Sequence, residues 1–436
     1  MPDRFGNFVR SDGDERDMVA ISVNRFASRY RAQDEPTRRL ILHGLIAYVV
    51  SRILTVIGAG LVAAEQVVRN RWNLEFCETN KMVAKCAAGD NPFARKVFPS
   101  GANLIAQVFG GWDGNWYLRI VSSGYPRYIP KGITYDDPPA RAAFFPTYPT
   151  LVRVLDKVLP GGPTTTGVII NIFLGAAFIA VFGFMAMKLF GAAKARHAVI
   201  ILCLFPGSFV LSYVYSEALL LLVAACCLWA LHRERWLVAG LFAAFGTATR
   251  PNGLALVMAC AVASIIAIRQ KRDWGSLIAP VLAPLGFIGF MIFLRQHTGE
   301  SLPWFRVQRE AWREGTSFGG AAVSNTLEFL VHPLSSPTNV LTAASLVAVG
   351  VLLWSAYRHR LPLPMLAYSL GILFLMLLPA TVTARPRFVF TAFPLFISAG
   401  AMFHDKDTPW WELLIVVLSA GLVTVVGMYG VISAVP

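Results

Sequence analysis

The stretch "LILHGLIAYVVSRILTVIGAGLVAA" at residues 40–64 is the first long apolar segment of the chain. A helix needs roughly 20 such residues to cross about 30 Å of hydrocarbon. The segment follows a long polar N-terminal region, whereas a cleaved secretory signal has a shorter apolar core much nearer the N-terminus. It therefore predicts a retained transmembrane helix.

The composition of the whole chain agrees with this segment. Of 436 residues, 56% are hydrophobic and 15% are charged, and the mean hydropathy is +0.56. These values exclude an ordinary soluble domain with a polar shell and predict an all-α polytopic membrane protein. With ten further apolar segments, the chain is expected to have about eleven transmembrane helices; these segments are 166–188, 198–214, 217–231, 237–249, 252–268, 275–295, 338–356, 362–380, 387–403 and 411–433. Several are short and contain Gly or Pro, which favours broken or tilted helices beside a protein or water cavity.

The net charge of +14 is explained by topology. Lys and Arg cluster in alternate loops, as the positive-inside rule requires of cytoplasmic loops, and no basic run alternates with stacking aromatics as in a nucleic-acid site. We expect a cytoplasmic basic arm at 1–40 and a single transmembrane domain at 41–436. Two long loops, 65–165 and 296–337, then lie outside, together with three short tips around Ser216, Arg250 and Arg385.

The six cysteines fall into two groups. Cys77 and Cys86 lie in the first outer loop, where an oxidising exterior permits a disulfide, with two free thiols as the alternative. The other four lie in apolar segments and are expected to be small buried residues. The sequence has no Walker loop and no His/Cys metal spacing, so it predicts neither an ATP site nor a metal site.

The motif "WDGNWYLRI" at residues 112–120 carries the first candidate for chemistry, Asp113. In one interpretation Asp113 caps a helix, with Trp116 and Tyr117 in an interfacial aromatic belt. In the other, Asp113 is a general base, a role that typically contributes about 10² to 10⁴ in rate. Aromatic surroundings would raise the pKa of Asp113 unless a cation such as Arg119 or Arg127 offsets them.

Two aromatic stretches on the outer side have double interpretations. "RAAFFPTYPTLVR" at 141–153 is either an interfacial hairpin or the wall of a lipid groove formed by Phe144, Phe145 and Tyr148. "HTGESLPWFRVQREAWREG" at 297–315 predicts a surface helix, either resting on lipid or contacting substrate through Gln308 and Trp312.

Three further motifs place ionisable residues at outer helix tips. "YSE" contributes Glu217, "TRPNG" contributes Arg250 and Asn252, and "ARPRF" contributes Arg385 and Arg387. Such residues can be snorkelling tips, because the cost of a charge falls toward the interface. All three tips face the side that carries Asp113, however, and this favours an arginine site for a phosphate group.

In this order, the motifs resemble the family of the second GPI-anchor mannosyltransferase and its bacterial relatives, which are GT-C fold membrane glycosyltransferases. The resemblance covers roughly 45–400 and rests on "WDGNWYLRIVSSGYP", "AFFPTYP", "FPGSFVLSYVYSEALLLLV", "ATRPNG", "TGESLPWFRVQREAW" and "RPRFVFTAFPLF". It implies inverting transfer of mannose from polyprenyl-phosphate-mannose to a lipid-linked glycan acceptor on the extracytoplasmic face. The plasma membrane is the expected location, and interfacial helices are expected in the first outer loop.

The resemblance also implies roles for residues. Asp113 falls on the acidic position of the first outer loop and is the expected base. Arg387 is the first choice for the donor phosphate, followed by Arg385 and Arg250. The remaining candidates for sugar, acceptor or network contacts are Trp112, Trp116, Tyr117, Glu217, Asn252, Gln308 and Trp312. No cofactor is obligatory for this chemistry, because an arginine can neutralise the leaving phosphate; whether a metal takes part is left open.

The basic arm and the Cys77–Cys86 loop match nothing in the family pattern. The Ala- and Arg-rich composition suits an actinobacterium, whose phosphatidylinositol mannosides or lipomannans would be natural acceptors. Two alternatives stay open: an arabinofuranosyltransferase using a polyprenyl-phosphate-sugar donor, and a transporter or flippase of a lipid-linked sugar. We expect a monomer that binds membrane lipids, a lipid-linked donor and a glycolipid acceptor, and no nucleic acid.

Overall fold

The described residues of this computed structural model are 34–79, 101–333, 335–380, 384–403 and 409–431. They form helices joined by turns, and Thr316 and Pro379 make the isolated β-bridge among them. The α-helices are α1 Glu35–Thr79, α2 Gly101–Phe109, α3 Asp113–Ser123, α4 Thr147–Leu155, α5 Gly162–Phe190, α6 Ala192–Leu204, α7 Glu217–His232, α8 Trp236–Thr247, α9 Ala255–Lys271, α10 Ile278–Leu282, α11 Leu285–Thr298, α12 Pro303–Ala311, α13 Gly320–Val331, α14 Pro337–Arg358, α15 Leu363–Leu377, α16 Pro386–Thr391, α17 Pro394–Gly400 and α18 Pro409–Gly430. Single 3₁₀ segments occupy Pro138–Ala143, Pro206–Leu211, Pro251–Leu254 and Trp274–Leu277.

Six helical segments of the described chain are long and apolar enough to cross a membrane. They are Glu35–Glu65, Gly162–Phe190, Pro251–Lys271, Trp274–Thr298, Pro337–Arg358 and Pro409–Gly430, and α7, α8 and α15 are shorter apolar helices. The all-helical membrane fold predicted from the sequence is thereby confirmed. The number of eleven spans stays a prediction.

Three of the predicted spans are broken in the structure, and in one of them, 275–295, α10 ends at Leu282 and α11 begins at Leu285. The segment 198–214 ends its α-helix at Leu204 and continues as a 3₁₀ turn from Pro206, and the segment 387–403 divides into α16 and α17 at Pro394. Proline lacks a backbone N–H and disfavours helix in the residue before it, so the chain bends at these points. Irregular backbone at such depth is tolerated where protein covers it, and Pro206–Leu211 and α16 are largely buried.

The first helix extends beyond its predicted end. α1 continues to Thr79, well into the predicted outer loop 65–165. Most of the predicted basic arm 1–40 and the side chains of Cys77 and Cys86 lie outside the described residues.

The core places the beginning of α16 against the turn Pro206–Leu211. Aromatic rings of α5 and the α16–α17 segment, among them Phe178 and Phe393 with centroids 5.1 Å apart, fill the space beneath it. At Gly207 a Cβ atom would lie 2.2 Å from the carbonyl oxygen of Pro386. Only glycine permits this approach, and the approach fixes the position of the next residue, Arg387.

The second outer segment covers the first. Trp304 Nε1 on α12 donates a hydrogen bond of 3.0 Å to the carbonyl of Ala143. Arg306 donates to the carbonyls of Ile129 and Pro130 and pairs with Glu300. The predicted surface helix is therefore present and is packed on the first outer loop.

Candidate active site

Asp113 stands at the beginning of α3, as the sequence predicts. The preceding Trp112 has φ 52° and ψ −120°, a backbone conformation that a non-glycine residue adopts only when its surroundings hold it there. The Trp112 indole stabilises this conformation, because its Nε1 donates a 2.9 Å hydrogen bond to the backbone carbonyl of Tyr429. The turn thus aims the Asp113 carboxylate away from α3 and toward two arginines.

Three helix tips meet at this carboxylate. Asp113 Oδ2 lies 2.9 Å from Arg387 Nη1 and 3.5 Å from Arg250 Nη2. Arg250 Nη1 lies 2.5 Å from Glu217 Oε2, and Arg387 Nη1 lies 3.8 Å from Glu217 Oε1. We call Asp113, Glu217, Arg250 and Arg387 the acid–arginine cluster; its two carboxylates balance its two guanidinium groups.

Asp113 is the most accessible member of the cluster. Its side chain is 21% exposed, against 9% for Arg250, 8% for Arg387 and 1% for Glu217. Glu217 is therefore placed to hold the arginines from inside, and Asp113 is the carboxylate that a ligand would reach first.

The arginines determine the charge of Asp113. Burial alone would raise the pKa of this carboxyl, but the charges of Arg387 and Arg250 outweigh burial and hold its pKa below the usual value. The carboxylate is thus ionised at neutral pH. The offsetting cations are not Arg119 and Arg127, which the sequence suggested: the Arg119 guanidinium lies 4.7 Å from the Trp116 ring centroid.

Neighbouring hydroxyls extend the cluster. Tyr117 OH lies 2.6 Å from Ser216 Oγ, and Arg250 Nη1 lies 3.4 Å from the same oxygen. The Arg387 guanidinium lies 5.7 Å from the Tyr215 ring centroid. Tyr117 was predicted as a network residue. Ser216 and Tyr215 were missed as site residues, although both belong to the quoted "YSE" motif.

Two other predicted residues occupy different surroundings. Arg385 is 2% exposed, and its Nη1 donates a 2.8 Å hydrogen bond to Thr342 Oγ1 on α14. Asn252 is half-buried on the turn Pro251–Leu254. In the portion of the chain described, no side-chain hydrogen bond connects Asn252 to the acid–arginine cluster.

The aromatic candidates lie beside the cluster in a separate group. The Trp116 ring centroid is 6.1 Å from that of Phe144 and 5.9 Å from that of Trp312, and Tyr135 approaches both tryptophans. Gln308 is half-buried on α12, where its carbonyl accepts from the Glu314 N–H. The first and second outer segments therefore form one aromatic wall next to Asp113.

Phe145 and Tyr148 lie inside the protein. They are 1% and 0% exposed, and the Phe145 ring packs 4.5 Å from that of Phe290. Of the three residues predicted to line a lipid groove, Phe144 is the one that is partly exposed. The other two face the interior instead of an open groove, because Phe145 packs on Phe290 and Tyr148 packs on Tyr117.

Among the described residues no group of three or more His, Cys, Asp or Glu side chains is placed to hold a metal ion. The charged groups that meet at the site are carboxylates and guanidinium groups. These groups can bind a phosphate and accept a proton.

Comparison with solved structures finds similar folds at low sequence identity. ArnT from Cupriavidus metallidurans bound to undecaprenyl phosphate is 16% identical with a TM-score of 0.46, over 69% of this chain and 56% of that one. An oligosaccharyltransferase from Archaeoglobus fulgidus, tethered to an acceptor peptide, is 12% identical with a TM-score of 0.38, over 72% of this chain and 50% of that one. The chain spans about half the length of these structures, and likeness at this level does not establish a shared activity.

The family comparison is more direct. No curated protein sequence matches the chain significantly. The model of the family described as mannosyltransferase (PIG-V) matches residues 43–271, more than half of the chain, and this region includes Asp113, Glu217 and Arg250. The family predicted from the sequence motifs is thereby confirmed, and the chain belongs to the PIG-V mannosyltransferase family.

Proposed function

We propose that this protein transfers mannose from polyprenyl-phosphate-mannose to a lipid-linked glycan acceptor, with inversion at the anomeric carbon and with Asp113 as the general base. The observation that carries the proposal is the acid–arginine cluster. It presents one accessible carboxylate against two buried guanidinium groups at a point where three helix tips meet. A base and a phosphate-binding cation are the two groups that this reaction needs.

The proposed step is a single displacement. The acceptor hydroxyl oxygen forms a bond to the anomeric carbon while the bond from that carbon to the phosphate oxygen breaks. The electron pair leaves with the polyprenyl phosphate, and the hydroxyl proton passes to Asp113. Attack from the face opposite the leaving group inverts the configuration.

Arg387 is the proposed phosphate ligand. Its Nε is buried and has no hydrogen-bond partner among the described residues, and the same is true of the Tyr215 hydroxyl. A donor phosphate would supply acceptor oxygens to such groups. Arg385, two residues earlier, and Arg250 are further candidates for this role.

Donor binding would also adjust the base. In the structure the charges of Arg387 and Arg250 keep the pKa of Asp113 low, which makes it a weak base. A phosphate that takes over part of the charge of Arg387 would let the pKa of Asp113 rise toward the range useful for proton transfer. The base would thus become effective when the donor is present.

The proposed setting follows from the sequence. The site lies on the extracytoplasmic face of the plasma membrane, the protein acts as a monomer, and no cofactor is obligatory. Phosphatidylinositol mannosides and lipomannans are the proposed acceptors.

The test is transfer of labelled mannose from polyprenyl-phosphate-mannose to a panel of glycolipid acceptors by purified protein in lipid. Asp113→Asn should insert normally and lose transfer by about 10² to 10⁴. Asp136→Asn is the matched control, because Asp136 is an exposed aspartate of the same outer loop. Full activity of Asp113→Asn would reject Asp113 as the base. No transfer by intact wild-type protein would reject mannose transfer and turn attention to arabinofuranosyl donors, then to lipid translocation.

A further inference from the structure

A cavity of about 700 Å³ opens between α3, α4 and α11. Its wall is largely apolar and includes Ile120, Pro149, Phe290 and Phe293. Gly289 leaves open space along α11 where a side chain would otherwise project. The volume lies in the range that accommodates a small organic ligand or the upper part of a lipid.

Basic groups line the other part of this cavity. Arg127, Arg153 and His297 contribute to its surface, and the lining residues, all within the described chain, include no Asp or Glu. Arg127 is exposed on its loop. Arg153 uses Nε and Nη2 to donate to the carbonyls of Val121 and Ile120, and its Nη1 makes no hydrogen bond within the described chain. The cavity therefore combines an apolar wall with uncompensated positive charge.

The cavity lies at the other end of α3 from the proposed base. Ile120 lies seven residues after Asp113 on α3, which is about 10 Å along the helix axis, and Ala248 precedes Arg250 by two residues. An amphipathic molecule held there could extend a polar headgroup toward Asp113. The apolar residues of α11 would contact its chain.

We propose that this cavity binds the lipid anchor of the acceptor, and that the anchor is an anionic glycerophospholipid. Its phosphate pairs with Arg127 and Arg153, and an acyl chain lies along Phe290 and Phe293. The assignment rests on the proposed function insofar as it concerns the acceptor, but binding of an anionic lipid can be measured without turnover.

Two variants test the cavity. Gly289→Leu fills it without a clash in the fold, because no atom lies within 4 Å of the Cβ position, and Gly350→Leu is its control on the exposed face of α14. Arg127→Gln removes one cation, with Arg309→Gln as the control at an exposed arginine of α12. Native mass spectrometry in the Asp113→Asn background measures retention of phosphatidylinositol relative to phosphatidylcholine.

We expect Gly289→Leu to abolish preferential retention of phosphatidylinositol and Arg127→Gln to weaken it by about fivefold, while both controls retain it. In enzyme with Asp113 intact, Gly289→Leu should raise KM for the glycolipid acceptor and leave KM for the donor unchanged.

Unchanged lipid retention in Gly289→Leu would overturn the proposed site, and equal retention of the two lipids by the wild type would overturn its charge selectivity. A raised donor KM with an unchanged acceptor KM would overturn the acceptor assignment. Should the proposed reaction itself be wrong, no variant transfers mannose, while the difference in lipid retention persists.

Discussion

At residue 113 one carboxylate oxygen has two arginine partners, and this arrangement sets the state of the proposed base. Arg387 contacts Asp113 Oδ2 at 2.9 Å and Arg250 contacts the same oxygen at 3.5 Å. A capping carboxylate would bond the N–H groups of its own helix. The hydrogen bonds of the Asp113 side chain go to the two arginines, so the structure favours the site interpretation of this residue over the capping one.

The pH dependence of activity should report this pairing. Because the pKa of Asp113 in the free enzyme is lowered below its ordinary 3.8, the ionised base persists on acidification, and kcat/KM is lost only as the pH falls through that lowered value. Arg387→Gln removes a positive charge that counteracts the effect of burial on Asp113. The pKa of Asp113 therefore rises, and the acid limb of kcat/KM moves to higher pH. Arg387→Lys keeps a cation and should leave the limb closer to that of the wild type. An unmoved limb in Arg387→Gln would contradict the pairing.

Glu217 and Arg250 form the buried half of the cluster, and their coupling can be measured. Removing one member leaves the other charge buried without its partner, which costs about 3 to 5 kcal/mol. Glu217→Gln and Arg250→Gln should each lower the thermal unfolding temperature of the purified protein. The unfolding temperature of the double variant should fall by less than the sum of the two single decreases, because neither buried charge then remains without a partner. Additive losses would show that the two side chains do not interact.

At the scale of elements, the sequence indicated which tips meet but not which side chains do. Alternation of basic loops placed Asp113, Glu217, Arg250 and Arg387 on one side, and the structure brings these four together. The sequence ranked Arg387 ahead of Arg385 for the donor phosphate, although both flank Pro386. In the structure the α-helix begins between them, so the extended Arg385 bonds Thr342 while Arg387 reaches Asp113.

The first outer loop shows why other side chains were harder to predict. An aromatic next to proline can face lipid or the interior, and only the packing of α4 against its neighbours decides this. Phe145 and Tyr148 are buried by that packing. The partners of Asp113 also depend on tertiary structure, because Arg387 is 274 positions away in the chain.

The contact between Gly207 and Pro386 should determine the position of α16. Gly207→Ala places a methyl group 2.2 Å from the Pro386 carbonyl oxygen, so the beginning of α16 must shift and carry Arg387 with it. We expect a loss of about 1 to 3 kcal/mol in unfolding free energy together with reduced kcat/KM. Gly427→Ala is the control, because no atom lies within 4 Å of its Cβ position on α18. Equal behaviour of the two variants would show that this close approach is unimportant.

At the scale of the whole molecule, the polar groups divide between two ends of the spanning helices. α5 runs from Gly162 to Phe190, a length of about 43 Å at 1.5 Å per residue. Near its first residue Thr166 donates a hydrogen bond to Asp156, and its last turn carries Lys188. The loop after α7 and the end of α9 meet through the ion pair of Glu234 and Lys271. The acid–arginine cluster belongs to the tips at the opposite ends of α7 and α9.

This division predicts an orientation in the membrane. The basic loops should be cytoplasmic and the cluster extracytoplasmic, since positive residues are retained on the inner side. With Cys77 and Cys86 replaced by Ser, Tyr128→Cys should react with an impermeant maleimide in intact cells, because Tyr128 is 71% exposed in the first outer loop. Arg233→Cys, at an exposed site after α7, should react only after permeabilisation. The reverse pattern would place Asp113 on the cytoplasmic face, where a donor carried on the outer leaflet could not reach it, and the proposed lipid-linked substrates would then have to be drawn from the inner leaflet.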